Sequence, residues 1–351
     1  MMSTDKYRWI SLLFLLVIAS IAVYFNINKP RIMILHSYHP DYAWTRDVNI
    51  GIRRIADDWG RYSVIWHYMD TKKHRDQHWQ KQASLLARRA VETTEPDVLI
   101  IIDDLGQKLV GKHYVNHPSI NIVFAGVNGS VAPYGYEGAK NVTGIFERKQ
   151  LKAIKETLLT LEQQRTEPRE HPRVGYLIDK STSLKQGLPY FNAFDWGPLD
   201  FQGAITADSF EQWKQEIKNI CKTADYLLIA NYRKLVTSVN NSKTPLPKEV
   251  MSWTERHSPI PVIGVNVFNT EEGAMISVGV SPYEQGETAA KIAERIIEEK
   301  IAAGTIPMIK NKQYVVALNE TALEKRHIVM PSIYEAFGRA TENYYENEKP
   351  Y

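Results

Sequence analysis

The feature that most limits the fold is a pair of short, unbroken apolar runs, DVLIIIDD at 97–104 and NIVFAGVN at 121–128, each closing in polar residues. A half-buried strand alternates apolar and polar residues. A run without alternation needs cover on both faces, the condition of a strand inside a parallel sheet flanked by helices. The neighbouring segments agree. RIMILHSY (31–38) is a similar run, followed by Trp44, Val48, Ile52 and Ile55 at helical spacing. YSVIWHYMD (62–70) reads as the next strand, and a helix over about 77–92 carries Ala83, Leu86, Ala87 and Ala90. NVTGIFE (141–147) follows a loop rich in Gly, Pro and Tyr. Strand and helix alternating in this way predict an α/β lobe on a parallel sheet.

The pattern then restarts. A helix from Lys149 to about Leu161 leads through the polar linker EQQRTEPREHPR to strands at 173–179, 201–207, 225–232 and 261–266, with helices near 209–222 and 247–257 between them. AMISVGVS (274–281) reads as a strand that crosses between lobes. A long amphipathic helix from Tyr283 to about Ala303, the strand YVVALN (314–319) and a short helix at 320–326 follow. The expectation is α/β: two doubly wound parallel-sheet lobes joined by a multi-segment hinge and preceded by one N-terminal hydrophobic helix. Residues 31–145 with about 275–305 would form the N-terminal lobe, and 146–266 with about 312–340 the C-terminal lobe. A length of 351 residues suits two domains at ~150 each.

Residues 1–30 have their own logic. Trp9 to Phe25 is a 17-residue run without a charge, preceded by Lys6 and Arg8. A bilayer span needs ~20 residues, from ~17 upward, and the basic flank stays cytoplasmic. The segment is therefore expected to be a signal anchor or a signal peptide, with everything after residue 30 exported. Ser20-Ile21-Ala22 offers a small-x-small cleavage site, while the apolar run continuing through Val23, Tyr24 and Phe25 favours an uncleaved anchor. Without these 30 residues the chain carries 40 basic and 39 acidic side chains, a balance that excludes a strongly basic nucleic-acid binder. The single cysteine, Cys221, allows no intrachain disulfide and no multi-thiolate metal site, and its apolar helical setting points to the core.

In open parallel sheets, ligands sit outside the carboxyl ends of the strands. In the first lobe those ends supply Ser37, Tyr38, Tyr42, Trp44 and Thr45, then Asp103 and Asp104, then Asn128. In the second they supply Asp179, Ser181, Thr182 and Ser183, then Asn231 and Tyr232, then Asn266. Aromatic faces, hydroxyls, amides and carboxylates in this mixture suit a small-molecule pocket. Tyr38, Tyr42 and Trp44 would stack on a flat or cationic ligand, though each suits core or lobe-interface packing as well. Ser181 to Ser183, at a helix start, cap that helix and would also meet a carboxylate through backbone N–H groups. Asp103 or Asp179 would receive an ammonium, and Asp103-Asp104 would equally cap the helix that follows.

No catalytic signature is present: no G-x-S-x-G, no G-x-x-x-x-G-K-[ST], no G-x-G-x-x-G after a strand and no H-E-x-x-H. No catalytic residue and no cofactor is expected. His36 and His39 are three apart, but on a strand-to-turn segment with no third ligand at a defined spacing, so no metal site is expected either.

ILHSYHPDYAWTRDVNIGI (34–52) resembles the opening of the ABC-transporter substrate-binding family with the type I periplasmic-binding fold, an opening shared by extracytoplasmic sensor regions of some histidine kinases and diguanylate cyclases. The blocks at 97–104, 121–128, 141–147, 173–183 and 276–297 resemble later parts of that family, and 305–332 its closing block, collinear over about 30–335. The resemblance implies a monomeric solute-binding protein that closes a cleft between its lobes on a small molecule and delivers it to an ABC permease. It also allows a ligand sensor that reports to a membrane partner. An exported enzyme is the third reading, with no motif behind it. Among ligands, a carboxylate for 181–183, an ammonium for Asp103 or Asp179 and an apolar body for the aromatics favour a zwitterion such as an amino acid, with nucleosides as the competitor.

Overall fold

The computed structural model describes residues 4–74 and 76–346. In chain order, α1 (Thr4–Ile27) leads into β1 (Arg31–His36), α2 (Ala43–Ala56), β2 (Ser63–Tyr68), α3 (Gln77–Thr94), β3 (Val98–Ile102), α4 (Asp104–Leu109), β4 (Asn121–Val127) and β5 (Val142–Phe146). Then come α5 (Leu151–Gln163), β6 (Arg173–Asp179), α6 (Thr182–Asn192), β7 (Asp200–Ala207), α7 (Phe210–Thr223), β8 (Tyr226–Ile229), α8 (Pro247–His257), β9 (Val262–Gly264), α9 (Val267–Glu271) and β10 (Ile276–Val280). The chain closes with α10 (Pro282–Glu299), β11 (Ile309–Lys310), β12 (Tyr314–Asn319), α11 (Glu320–Lys325), α12 (Ser332–Ala340) and β13 (Tyr344–Tyr345). Two compact units result. Unit 1 holds residues 1–146 and 282–309, and unit 2 holds 147–281 and 310–351.

Unit 1 is built on the order β11-β5-β4-β3-β1-β2. β1, β2, β3, β4 and β5 pair in parallel. Every residue of β3 is buried, as an unbroken apolar run demands. Ile32, Ile34, Ile100 and Ile102 face one way, onto Val48 and Ile52 of α2 and Ala289, Ala293 and Ile296 of α10. Met33, Leu35, Leu99 and Ile101 face the other, onto Ala83, Ala87 and Val91 of α3. The Asp76 carboxylate starts α3 by accepting from the Trp79 N–H at 2.8 Å. Helices α2 and α10 approach closely at two glycines. A Cβ on Gly51 would stand 2.2 Å from the Tyr283 carbonyl oxygen, and one on Gly286 2.1 Å from that of Val48.

Unit 2 is built on β13-β12-β10-β9-β8-β6-β7. Residues of α5 and Phe191 of α6 cover one face with Tyr176, Leu228 and Ile263. Trp213 and Ile217 of α7 and Val250 and Met251 of α8 cover the other with Leu177, Leu227 and Val262. A half-buried ion pair joins α8 to the residue that closes α11: Arg326 Nε donates to Glu255, and Arg326 also reaches the carbonyls of Glu255 and Ser258. The lobes are the expected parallel-sheet α/β units, and in the second β12 adds an antiparallel strand beside β10. One expectation is corrected: the segment at 275–281 does not belong to the N-terminal lobe. β10 pairs with β9 and β12 inside unit 2, so the second crossing lies at 281/282. Cys221 is half-buried against the α7 side of this core, and burial raises its thiol pKa.

His36 closes β1 with a fully buried ring, stacked 5.2 Å from Tyr68 and 6.1 Å from Trp66. Burial lowers its pKa to about 3. The Asn49 amide, beside the ring but outside hydrogen-bond geometry, offsets this only in part. An unfolded histidine titrates near 6.5. As pH falls below that value, the unfolded chain takes up a proton that the folded ring refuses. The stability tied to neutral His36 is therefore complete above pH 6.5 and declines toward pH 3, by up to roughly 4 kcal/mol. Urea midpoints measured across this range should show the decline in the wild type and a flatter limb in His36→Phe; parallel limbs would refute it.

Candidate functional site

At the carboxyl ends of the unit 1 strands, three small groups form. Ser37 is fully buried; its hydroxyl donates to the Ile102 carbonyl at 2.7 Å and accepts from the Gly106 N–H at 2.8 Å. It thus ties the end of β1 to the end of β3. Thr45 is also fully buried, on the inner face of α2. Neither side chain has exposed surface. Tyr38 and Tyr42 meet edge to face at 5.3 Å, and the Lys72 ammonium lies 4.6 and 5.2 Å from their ring centroids. Both tyrosines are half-buried, as is Trp44, which packs against the core beneath α2.

Asp103 and Asp104 part company. Asp103 is buried and holds φ 73° and ψ 156°, a backbone region that costs a residue with a Cβ about 1–3 kcal/mol. Its N–H donates to the Ala125 carbonyl at 2.8 Å, which bends the chain out of β3. Asp104 is half-exposed. Its Oδ2 accepts from the Asn128 N–H at 3.1 Å and its Oδ1 from the Tyr134 hydroxyl at 2.8 Å. Burial and this carboxylate raise the Tyr134 pKa well above the ordinary phenol value, so Tyr134 stays a donor. Behind them Gln285 of α10 accepts from the Gly126 N–H at 2.8 Å and donates to the Phe146 carbonyl at 3.1 Å.

In unit 2, Asp179 has no exposed surface. Its Oδ1 accepts from the Ser181 N–H at 3.0 Å and from the Ser181 hydroxyl, and its Oδ2 accepts from the Lys234 N–H at 2.9 Å. The expected free counter-charge for an ammonium is thus a latch that holds two loops. Ser181 does not cap α6 with its side chain, because the hydroxyl serves Asp179 while accepting from Asn231 Nδ2 at 2.9 Å. The side chains of Thr182 and Ser183 lie outside the described residues. Tyr232 is buried, and its hydroxyl donates to Glu272, which pairs with Arg233 as well. Asn266 sits at the end of β9, where its Oδ1 accepts from Lys149 Nζ at 2.7 Å and its Nδ2 donates to the Ala230 carbonyl at 3.1 Å. Lys149 also pairs with Glu147 at 3.1 Å.

Comparison with known proteins follows this geometry. Residues 207–336 match the family described as ABC transporter substrate binding protein. The ligand-free, open structure of a substrate binding protein with adhesive properties from Clostridium difficile is similar, with 14% identity, 92% of this chain and 100% of that one covered, and a TM-score of 0.66. The ABC domain of Streptococcus pneumonia in complex with L-Trp has 11% identity, 88% and 98% coverage and a TM-score of 0.59. A conserved domain protein of Vibrio cholerae has 17% identity, 88% and 98% coverage and a TM-score of 0.56. No curated protein matches the chain. The fold is that of a type I periplasmic substrate-binding protein. The matching family and the Clostridium and Streptococcus neighbours are binding proteins rather than enzymes.

On a substrate-binding fold, Lys72, Tyr134, Lys149, Arg233 and Gln285 join the candidates that sequence reasoning named. Lys72 and Tyr134 lie within ten residues of strand ends and belong to the same rule. Gln285 carries no such signal, since α10 returns to unit 1 only after the whole of β6 to β10. Among the described residues no group of three or more His, Cys, Asp or Glu side chains is gathered for a metal. The Asp179 latch makes a direct prediction. Asp179→Ala strips the Ser181 hydroxyl and the Lys234 N–H of a buried acceptor, which should cost about 2 kcal/mol or more of apo stability. Thermal unfolding without ligand should show the loss, and an unchanged midpoint would return Asp179 to the ligand-facing set.

Proposed function

We propose that this chain is an extracytoplasmic solute-binding protein that captures one small molecule between its two units and hands it to an ABC-type permease. The observation that supports it most is the pair of polar and aromatic clusters at the carboxyl strand ends, one in each unit, on a fold of this class. The α1 window Tyr7–Phe25 is long and apolar enough to cross a membrane. Read as a signal or an anchor, it supports export of all that follows. If it stays attached, the same protein also suits a sensor that reports occupancy to a membrane partner.

The ligand we favour is a zwitterion, an amino acid with an apolar or aromatic side chain. Lys72 supplies a cation for its carboxylate and Asp104 an anion for its ammonium, with Tyr38 and Tyr42 as apolar walls. This assignment moves the carboxylate away from 181–183 and the ammonium away from Asp103 or Asp179, where sequence alone put them. The complex of the Streptococcus neighbour with L-Trp is a precedent for such a ligand on such a fold. The reading is one of binding, with no bond made or broken. A thermal-shift screen against amino acids, nucleosides and sugars should give a rise with amino acids. Tyr42→Ala should leave the apo midpoint in place and weaken binding roughly fivefold, the worth of ~1 kcal/mol of aromatic contact. A shift with nucleosides and none with any amino acid would overturn the ligand class.

A further inference from the structure

A cavity of about 600 Å³ opens in unit 1 at the amino ends of the strands, opposite to the ligand-candidate clusters. Pro30, Asp97, Asn121 and Asn141, each just before or at the start of a strand, line it. Ile120, Ile296, Ile297 and Ile301 give it an apolar wall. Lys140 and Lys300 stand exposed among its lining residues. Asp97 of the lining and the acids of the adjoining α10 turn have partners of their own. Asp97 accepts from the Arg31 N–H at 2.8 Å, Glu298 pairs with Arg61 at 3.4 Å, and Glu299 pairs with Arg295 at 3.0 Å. Among the described residues neither lysine has an ion-pair partner.

Pro30 belongs both to this cavity and to the link between α1 and β1. That link is only Asn28, Lys29 and Pro30. Three extended residues reach about 10 Å. A bilayer crossed by α1 therefore lies within about that distance of the cavity. Two exposed lysines lining a cavity with an apolar wall, held at a lipid surface, complement a phosphate headgroup and the glycerol beneath it.

We propose that this cavity takes the phosphate headgroup of an anionic phospholipid from the membrane that α1 spans. Lys140 and Lys300 bind the phosphate oxygens, and the isoleucine wall covers the glycerol backbone. The contact sets unit 1 with the carboxyl ends of its strands pointing away from the bilayer. The inference needs α1 attached and does not depend on the ligand reading.

The test uses the full chain in nanodiscs of phosphatidylcholine, with and without phosphatidylglycerol, read by hydrogen–deuterium exchange at residues 116–121 and 296–302. Exchange should slow several-fold in the phosphatidylglycerol discs alone. The double variant Lys140→Glu and Lys300→Glu should lose that protection while keeping its far-ultraviolet circular dichroism. Equal exchange in both discs would overturn the proposal, as would protection that survives the double variant. Inorganic phosphate added to phosphatidylcholine discs should give no protection; if it does, the site is a general anion site and the lipid assignment falls.

Discussion

Unit 1 depends on one contact that only glycine permits, the backbone-to-backbone approach of α2 and α10. At Gly51 and Gly286 a single methyl group would collide with a carbonyl oxygen of the facing helix. Overpacking of that kind in a closed core costs on the order of 1–3 kcal/mol. The contact also lets Gln285 reach the ends of β4 and β5, where it fills two backbone hydrogen-bond positions that would otherwise need a partner. Unit 1 is therefore complete only when residues 282–309 have returned to it. The chain passes between the units three times, at 146/147, 281/282 and 309/310.

The polar strand ends divide into buried groups and half-buried ones. Ser37, Asp179, Ser181 and Tyr232 belong to the first kind. Their hydrogen bonds run to backbone groups and to nearby side chains, and they hold loops in place. Tyr38, Tyr42, Lys72 and Asp104 belong to the second: the Lys72 ammonium lies over both tyrosine rings, and the Asp104 carboxylate accepts from Asn128 and Tyr134. A binding site needs both: rigid loops make the recognition groups pre-organised, so less affinity is lost to ordering them.

The legibility of the sequence follows the same division. β3 and β4 are plain in it because strands buried on both faces leave no polar residue to interrupt the run. The restart of the pattern after Lys149 is plain for the same reason. β10 is misread because a run such as ISVGV carries no information about which sheet it joins; its partners β9 and β12 decide that. The ends of strands point to a neighbourhood, but a residue's position there does not tell whether its side chain turns inward. Asp179 and Tyr232 look as polar or amphipathic as Asp104 and Tyr42. Their burial is set by Lys234 and Glu272, which lie 55 and 40 residues further along the chain.

A substrate-binding role requires one specific small molecule per chain, held without a covalent bond. Native mass spectrometry of the full chain, extracted in a mild detergent from cells that express it, measures this directly. The expected spectrum shows a single small-molecule adduct per chain that is released on acid unfolding and identified in the released fraction. A chain that carries no adduct, and acquires none when incubated with a whole metabolite extract, would contradict a substrate-binding role.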